Sequence, residues 1–104
     1  MGSELCVKRL ESLAVDTRWR IVGELVVKPM TVNELTAQIG ANQYNVSKHL
    51  RILRKAGIVE AEKTGIHVEC SIAEALRQKP PKGPADLDLG CCTFRFERSP
   101  KASE

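Results

Sequence analysis

Hydrophobic residues recur at the spacing of helices in the first part of the chain. One predicted helix opens at Ser3, and a second runs from about Thr17 to Val27, where Pro29 stops it. We expect Asp16 to cap the second helix. The apolar positions that predict these helices are Leu5, Cys6, Leu10, Leu13 and Ala14 in the first and Ile21, Val22, Leu25 and Val26 in the second.

A third, shorter helix is predicted over Val32 to Ile39. Thr31 and Glu34 have the spacing of a capping box, in which each side chain accepts a hydrogen bond from the backbone N–H of the other residue. Gly40 ends this helix, because glycine readily adopts the left-handed conformation of helix C-termini.

The fourth predicted helix runs from about Gln43 to Ala56, with Asn42 as its cap and Gly57 as its stop. Its apolar residues form one stripe at helical spacing, which should be buried: Val46, Leu50 and Leu53. The opposite face is polar and carries Gln43, Tyr44, Asn45, Ser47, Lys48 and Arg51.

After the fourth helix the apolar residues alternate with polar ones, which is typical of strands. Val68, Cys70 and Ile72 predict one strand of a hairpin. Ile58 to Glu62 predicts its partner, and Thr64-Gly65 is the predicted turn.

The rest of the chain predicts a short helix, a linker and a tail. Ser71 and Glu74 have the spacing of a second capping box, so a last helix should follow and end before Pro80-Pro81. Residues 79–86 have the composition of a stiff linker. Order returns from Leu87 to Phe96, where alternating apolar residues predict a short strand, and residues 99–104 resemble a frayed end. We therefore divide the chain into a domain of residues 1–78 and a linker with tail of residues 79–104.

Composition excludes several classes of protein. With 104 residues, 42% apolar and 28% charged, the chain fits one globular domain. Aromatic residues make up 4%, which argues against a stacking platform for single-stranded nucleic acid. No apolar run is long enough to span a membrane, so no membrane partner is expected.

The net charge of +3 is confined to one segment of the sequence. Basic and acidic residues balance in residues 1–42 and again in residues 64–104. Residues 43–63 carry Lys48, Arg51, Arg54, Lys55 and Lys63 against Glu60 and Glu62. This concentration is typical of a nucleic-acid contact surface, although a solvated helix face would also produce it.

Two short helices joined by a tight turn, the second with a polar and basic outer face, form a helix-turn-helix. A hairpin directly after the second helix forms a wing that can lie along the adjacent DNA. The predicted fold is α+β, a winged helix-turn-helix in the order α-α-α-α-β-β-α. An atypical cysteine-containing C-terminal extension follows it.

Three stretches of the sequence resemble the ArsR/SmtB family of bacterial repressors. They are Asp16-Thr17-Arg18, Thr31-Val32-Asn33-Glu34-Leu35, and the stretch from Gln43 through Val59. The resemblance covers about residues 10–72. It implies a homodimer that binds double-stranded operator DNA and releases it on meeting a metal ion, a metalloid or a thiol oxidant.

The resemblance also implies roles for individual residues at the DNA. Gln43, Tyr44, Asn45, Ser47 and Lys48 would face bases and neighbouring phosphates. Arg51 and Lys63, like Lys48, would neutralise phosphates without reading sequence. His49 fills the family's usual histidine position, with packing between helices as its alternative role; Tyr44 could instead be an exposed turn residue.

The sequence departs from the family pattern at three places. The predicted wing tip, Lys63 to His67, has fewer arginines than usual. The third helix contains no cysteine, and the last helix lacks the paired Asp/His and His/Glu ligands of the family's zinc site. The two sensor sites best known in the family are therefore absent.

Four cysteines without an export signal indicate a reducing, cytoplasmic compartment, where thiols or metal ligands are expected rather than disulfides. Cys91 and Cys92 are adjacent, and Gly90 before them allows a turn that brings their sulfurs together. Cys70 fits the core, and Cys6 either packs inside or supplies a third thiolate. Soft thiolates suit arsenite or antimonite as inducer. Redox or persulfide sensing and the absence of any sensing role are the alternatives.

The sequence contains no catalytic signature, so we do not expect an enzyme and no cofactor is required. It has no nucleophile–base motif, phosphate-binding glycine loop or recognisable carboxylate pair. A winged helix that binds only proteins is the other rival, but it would not need Gln43, Asn45, Lys48 and Arg51 on one exposed face.

Overall fold

The structure is a computed structural model that describes residues 3–77 and 86–96. The elements, in chain order, are α1 (Ser3–Leu13), α2 (Asp16–Leu25), β1 (Met30–Thr31), α3 (Val32–Ile39), α4 (Gln43–Lys55), β2 (Val59–Thr64), β3 (His67–Ile72), a 3-10 turn (Glu74–Leu76), β4 (Asp86–Asp88) and β5 (Thr93–Arg95). The four helices and the wing hairpin confirm the winged helix-turn-helix predicted from the sequence.

Side-chain caps fix where α3 and α4 begin. Thr31 Oγ1 accepts from the Glu34 N–H, and Glu34 Oε1 accepts from the Thr31 N–H, as the capping box predicts. Asn42 Oδ1 accepts from the Asn45 N–H at 2.8 Å. Gly40 closes α3 with φ of 80°, a value that glycine adopts without strain. The turn between the two helices is thereby held at both ends.

Two predicted caps are wrong. Asp16 does not cap α2; it is the first helical residue, and Val15 precedes it without a side-chain bond. Ser71 and Glu74 form no capping box, because β3 extends through Ile72 and keeps Ser71 in the sheet. The Ser71 hydroxyl instead accepts from Arg77. A single 3-10 turn therefore replaces the last helix in the part of the chain that the structure describes.

The wing belongs to a three-stranded antiparallel sheet in the order β1-β3-β2. β2 pairs with β3 from Val59↔Ile72 to Thr64↔His67, so the turn consists of Gly65 and Ile66 rather than the predicted Thr64-Gly65. Gly65, at the first turn position, has φ of 64°. β1 pairs with β3 through Met30↔Cys70 and is too short for a sequence pattern to reveal.

The C-terminal segment is a second hairpin, in which β4 and β5 pair from Asp86↔Arg95 to Asp88↔Thr93. The sequence predicted only one strand here. Leu87 and Leu89 are fully buried in the core cluster that also contains the buried stripe of α4. Phe96 lies against Trp19, with ring centroids 4.3 Å apart. The hairpin thus shares the core of the winged helix, whereas the predicted linker (up to residue 85) and frayed end lie outside the described residues.

None of the helices within residues 3–77 and 86–96 has the length and apolar character needed to cross a bilayer.

The cap of α4 should contribute measurably to stability. Asn42→Ala removes the acceptor of the Asn45 N–H, so we expect the free energy of unfolding to fall by about 1 kcal/mol. Asn42→Gly should cost only a few tenths of a kcal/mol, because glycine is itself tolerated at this position. Urea unfolding followed by circular dichroism measures both. Equal losses in the two variants would contradict a stabilising role for the side-chain bond.

Candidate nucleic-acid interface and cysteine cluster

One side of α4 is buried and the other is open to solvent. The stripe of Val46, Leu50 and Leu53 is at most 4% exposed. Tyr44 is 75% exposed. The predicted base- and phosphate-facing residues lie on this outer side: Gln43, Tyr44, Asn45, Lys48 and Arg51 are exposed, and Ser47 is half-buried. The structure therefore presents together the side chains that the sequence assigned to DNA.

A side chain that the sequence analysis missed fixes the turn before α4. Arg20, on α2, donates from Nη2 to the carbonyl oxygen of Ile39 at 2.8 Å. Ile39 is the last residue of α3, so the bond satisfies a carbonyl at a helix end. In the sequence, the only sign of this role was that Arg20 is a basic residue close to the helix-turn-helix.

The basic surface continues past the predicted residues. Arg54 and Lys55 are exposed in the last turn of α4. With Arg51 and Glu60 they line an open groove of about 580 Å³ between α4 and β2. Two more cations thus lie beside the predicted interface, and clustered cations create a positive field that attracts polyanions.

The β2–β3 hairpin, which forms the wing, carries exposed residues along its outer half. Lys63 is exposed and pairs in register with Val68 across the hairpin. Ile66, at the tip, is 90% exposed. The outermost side chain of the turn is therefore apolar, consistent with the scarcity of arginine that the sequence showed.

His49 lies between the buried and the exposed sides of α4. Its Nδ1 is buried and has no hydrogen-bond partner among the residues that the structure describes. Burial lowers the pKa of His49 below its usual value, and the charges of Arg18 and Lys48 lower it further. This placement favours packing between helices over DNA contact.

Three cysteines meet where the C-terminal hairpin covers α1. Cys6 and Cys91 form a disulfide whose Cα atoms are 6.4 Å apart. The Sγ of Cys92 lies 3.8 Å from that of Cys91. The two adjacent residues stand in the turn before β5, where Gly90 has φ of 96°, so the turn predicted at Gly90 does bring both sulfurs together. We call Cys6, Cys91 and Cys92 the cysteine cluster.

The disulfide corrects the expectation that the cysteines are thiols or ligands. Pairing depends on the docking of the hairpin onto α1, because Cys6 and Cys91 are separated by 85 residues in the sequence. Within residues 3–77 and 86–96, no group of three or more His, Cys, Asp or Glu side chains is arranged to hold a metal ion. The assignment of Cys6, Cys91 and Cys92 as ligands therefore stays a prediction and concerns the reduced chain.

The fourth cysteine, Cys70, is a core residue, as predicted. It is 1% exposed and sits on β3. Burial raises the pKa of its thiol, which keeps it protonated and unreactive.

Residues 16–61 match the family model described as bacterial regulatory protein, arsR family. The HTH-type transcriptional regulator NmtR of Mycobacterium tuberculosis is 35% identical over 63 residues, which are 61% of this chain and 52% of that protein. The chain spans about half the length of the curated relatives it matches.

Solved structures give the same result for the fold. The transcriptional repressor BigR from Xylella fastidiosa has a TM-score of 0.66 and 32% identity, covering 70% of this chain and 74% of that one. The homodimeric winged helix-turn-helix DNA-binding domain Mb0332 from Mycobacterium bovis has a TM-score of 0.66 and 25% identity, covering 69% and 67%.

His49 should make stability depend on pH. Its pKa is lowered in the folded protein, so below the usual value near 6.5 the unfolded chain binds the proton more readily. Stability is then greatest above about pH 6.5 and falls as the pH drops below that value. We expect His49→Gln to lose less stability than wild type between about pH 7 and pH 5 in urea unfolding. Parallel losses would contradict this assignment.

Proposed function

Because the chain belongs to the arsR family of bacterial regulatory proteins, we propose that it is a cytoplasmic repressor of transcription that binds operator DNA as a homodimer. The observation that carries this proposal is the exposed polar and basic side of α4, held beside the wing by a capped helix-turn-helix. The major groove, about 12 Å wide, admits such a helix with its N-terminal residues at the base edges.

The outer residues of α4 divide into two roles. Gln43 stands in the first turn, where an amide can bind adenine through two hydrogen bonds. Lys48 and Arg51, farther along, neutralise phosphates and set the register of the helix on the DNA. Lys63 on the wing adds a third phosphate contact from the adjacent backbone.

A dimer is supported by the outer surface of α1. Leu5, Val7 and Leu10 are each at least 38% exposed on this one helix. A small domain gains stability by covering such residues with a second copy. Two copies then place two α4 helices on a palindromic operator, about one helical turn apart.

We propose the cysteine cluster as the inducer site and arsenite as the most suitable inducer. Three sulfurs converge within one chain, and soft thiolates favour a soft metalloid such as arsenic(III), which prefers three sulfur ligands. Two of the three are bonded to each other in the structure. The proposal therefore requires the Cys6–Cys91 bond to be reduced first.

Redox or persulfide sensing is the second candidate, and the Cys6–Cys91 pair favours it. The two sulfurs are within bonding distance without any inducer. Oxidation would then link the hairpin to α1 through the Cys6–Cys91 disulfide, and reduction would break that link. In this case the inducer is an oxidant or a persulfide donor rather than a metalloid.

The first test separates base readout from phosphate contact. Fluorescence anisotropy should show Lys48→Ala weakening operator and random DNA alike, whereas Gln43→Ala reduces the preference for operator by about 1–3 kcal/mol. For a dimer making about six to ten phosphate contacts, raising salt from about 50 to 200 mM should weaken binding roughly 10³–10⁵-fold.

The stoichiometry of the complex tests the dimer. Sedimentation of the complex should give two chains per operator. Salt-independent binding, or a single chain per operator, would contradict the proposal.

The second test addresses the inducer. In a phosphine reductant, which leaves arsenite free, Cys91→Ser and Cys92→Ser should bind operator like wild type but fail to release it on addition of arsenite. Cys70→Ala is the matched control and should release normally, because Cys70 is buried on β3 and is not part of the cluster.

The outcomes separate the candidates. If a double variant with Cys91→Ser and Cys92→Ser still releases the operator at wild-type arsenite concentrations, the cluster is not the metalloid site. Release of wild type by mild oxidation, with no response to arsenite, would establish the redox alternative. A wild type that responds to neither would be a regulator without a sensing role.

A further inference from the structure

Arg9 connects the cysteine cluster to the hairpin that carries it. It stands on α1, three residues after Cys6, and is half-buried. Its Nη1 donates to the carbonyl oxygen of Leu89 at 3.1 Å. Cys6 Sγ approaches the same oxygen, at 3.9 Å. The Leu89 carbonyl is thus shared by the cluster and by the guanidinium.

The other edge of the same guanidinium lies over the end of the DNA-facing helix. Nη2 of Arg9 is 3.6 Å from the position that a Cβ atom would occupy on Gly57. Gly57 has φ of 81° and follows the last residues of α4. A cation beside a helix C-terminus is favourable, because the unpaired carbonyl groups there carry partial negative charge.

The end of α4 is a defined structure that a neighbour can disturb. The Ile58 N–H donates to the Leu53 carbonyl and the Gly57 N–H donates to the Arg54 carbonyl, each at 3.0 Å. This pair of bonds is the Schellman motif, which closes a helix through a left-handed glycine. The two amide protons report on the state of this helix end.

The Leu89 carbonyl belongs to the peptide group that leads into the turn of the cysteine cluster. The Leu89 side chain is fully buried, and the peptide group is shared with Gly90, which has φ of 96°. The N–H of this peptide donates to Asp88 Oδ1 at 2.8 Å, so a shift of the carbonyl also changes that bond. Cys91 follows directly. A change at the Cys91 sulfur would reach this peptide through one intervening residue, and any shift of the Leu89 carbonyl would move the acceptor of Arg9.

We propose that Arg9 is the positioning residue that couples the chemical state of the cysteine cluster to the C-terminal end of α4. This inference rests on the proposed function for its consequence at DNA, but the coupling itself can be measured without DNA. The Nε of Arg9 is buried with no hydrogen-bond partner, so within the described residues the guanidinium is held by the Leu89 carbonyl alone. When that acceptor moves, the guanidinium and its charge move relative to Gly57.

The two states to compare are the disulfide and dithiol forms of the full chain. A phosphine reductant breaks the Cys6–Cys91 S–S bond, each sulfur gains a proton, and water supplies the oxygen of the phosphine oxide. Amide hydrogen exchange at Gly57 and Ile58 is measured in both forms. Since coupling residues modulate energies by about 0.5–2 kcal/mol, we expect the wild-type rates to differ about two- to thirty-fold.

Substitutions of Arg9 test whether this side chain carries the coupling. Arg9→Met keeps much of the stem and removes the donors, so its Gly57 and Ile58 rates should be the same in both forms. Arg9→Lys restores a cation and a donor and should recover part of the difference. Lys8→Met is the matched control, because Lys8 is an exposed cation on the same helix; it should behave like wild type. If Arg9→Met does not fold, Arg9→Leu takes its place, because leucine also lacks a hydrogen-bond donor.

Wild-type rates that do not change on reduction would overturn the proposal, as would a full wild-type difference in Arg9→Met or its replacement. Operator affinity measured on the same samples distinguishes the two hypotheses. A chain that binds no operator in either form contradicts the proposed function, and the exchange rates still decide the coupling.

Discussion

The complete burial of one side of α4 is the constraint on which the rest of the structure depends. Val46, Leu50 and Leu53 each contribute about 1.5–3 kcal/mol when removed from water, and together they fix the rotation of the helix about its axis. Once that rotation is set, the side chains of Gln43 and Lys48 face solvent. The same apolar contacts that stabilise the domain therefore determine which side chains face solvent, and these include the ones assigned to DNA.

The C-terminal hairpin follows from the small size of this core. A chain of 104 residues buries a modest fraction of its surface, and the part of α4 that must stay polar reduces it further. Leu87, Leu89 and Phe96 add three buried side chains to the same cluster. Phe96 packs closely over α2, because a Cβ atom on Gly23 would lie only 3.2 Å from the Phe96 ring. The hairpin is thus an integral layer of the domain.

The sequence predicted what local pattern and local capping determine. The four helices, the capping box of Thr31 and Glu34, the cap at Asn42 and the wing all depend on residues a few positions apart. The features it missed depend on contacts between distant segments. Arg20 is opposite Ile39 only because α2 crosses the turn, and Cys6 meets Cys91 only because the hairpin docks on α1. Ser71 shows the converse, since pairing in the sheet overrode a local capping signal.

The location of the cysteine cluster restricts how an inducer could act. Its three residues lie on α1 and in the hairpin, and none belongs to α3, α4 or the wing. An inducer bound there covers none of the side chains assigned to DNA, so it cannot compete with DNA by occupying the same residues. It must bind one conformation of the protein more tightly than another, and operator DNA must prefer the other conformation. The geometry of the cluster therefore points to a displacement of α1 or α4, and α1 packs directly against α4.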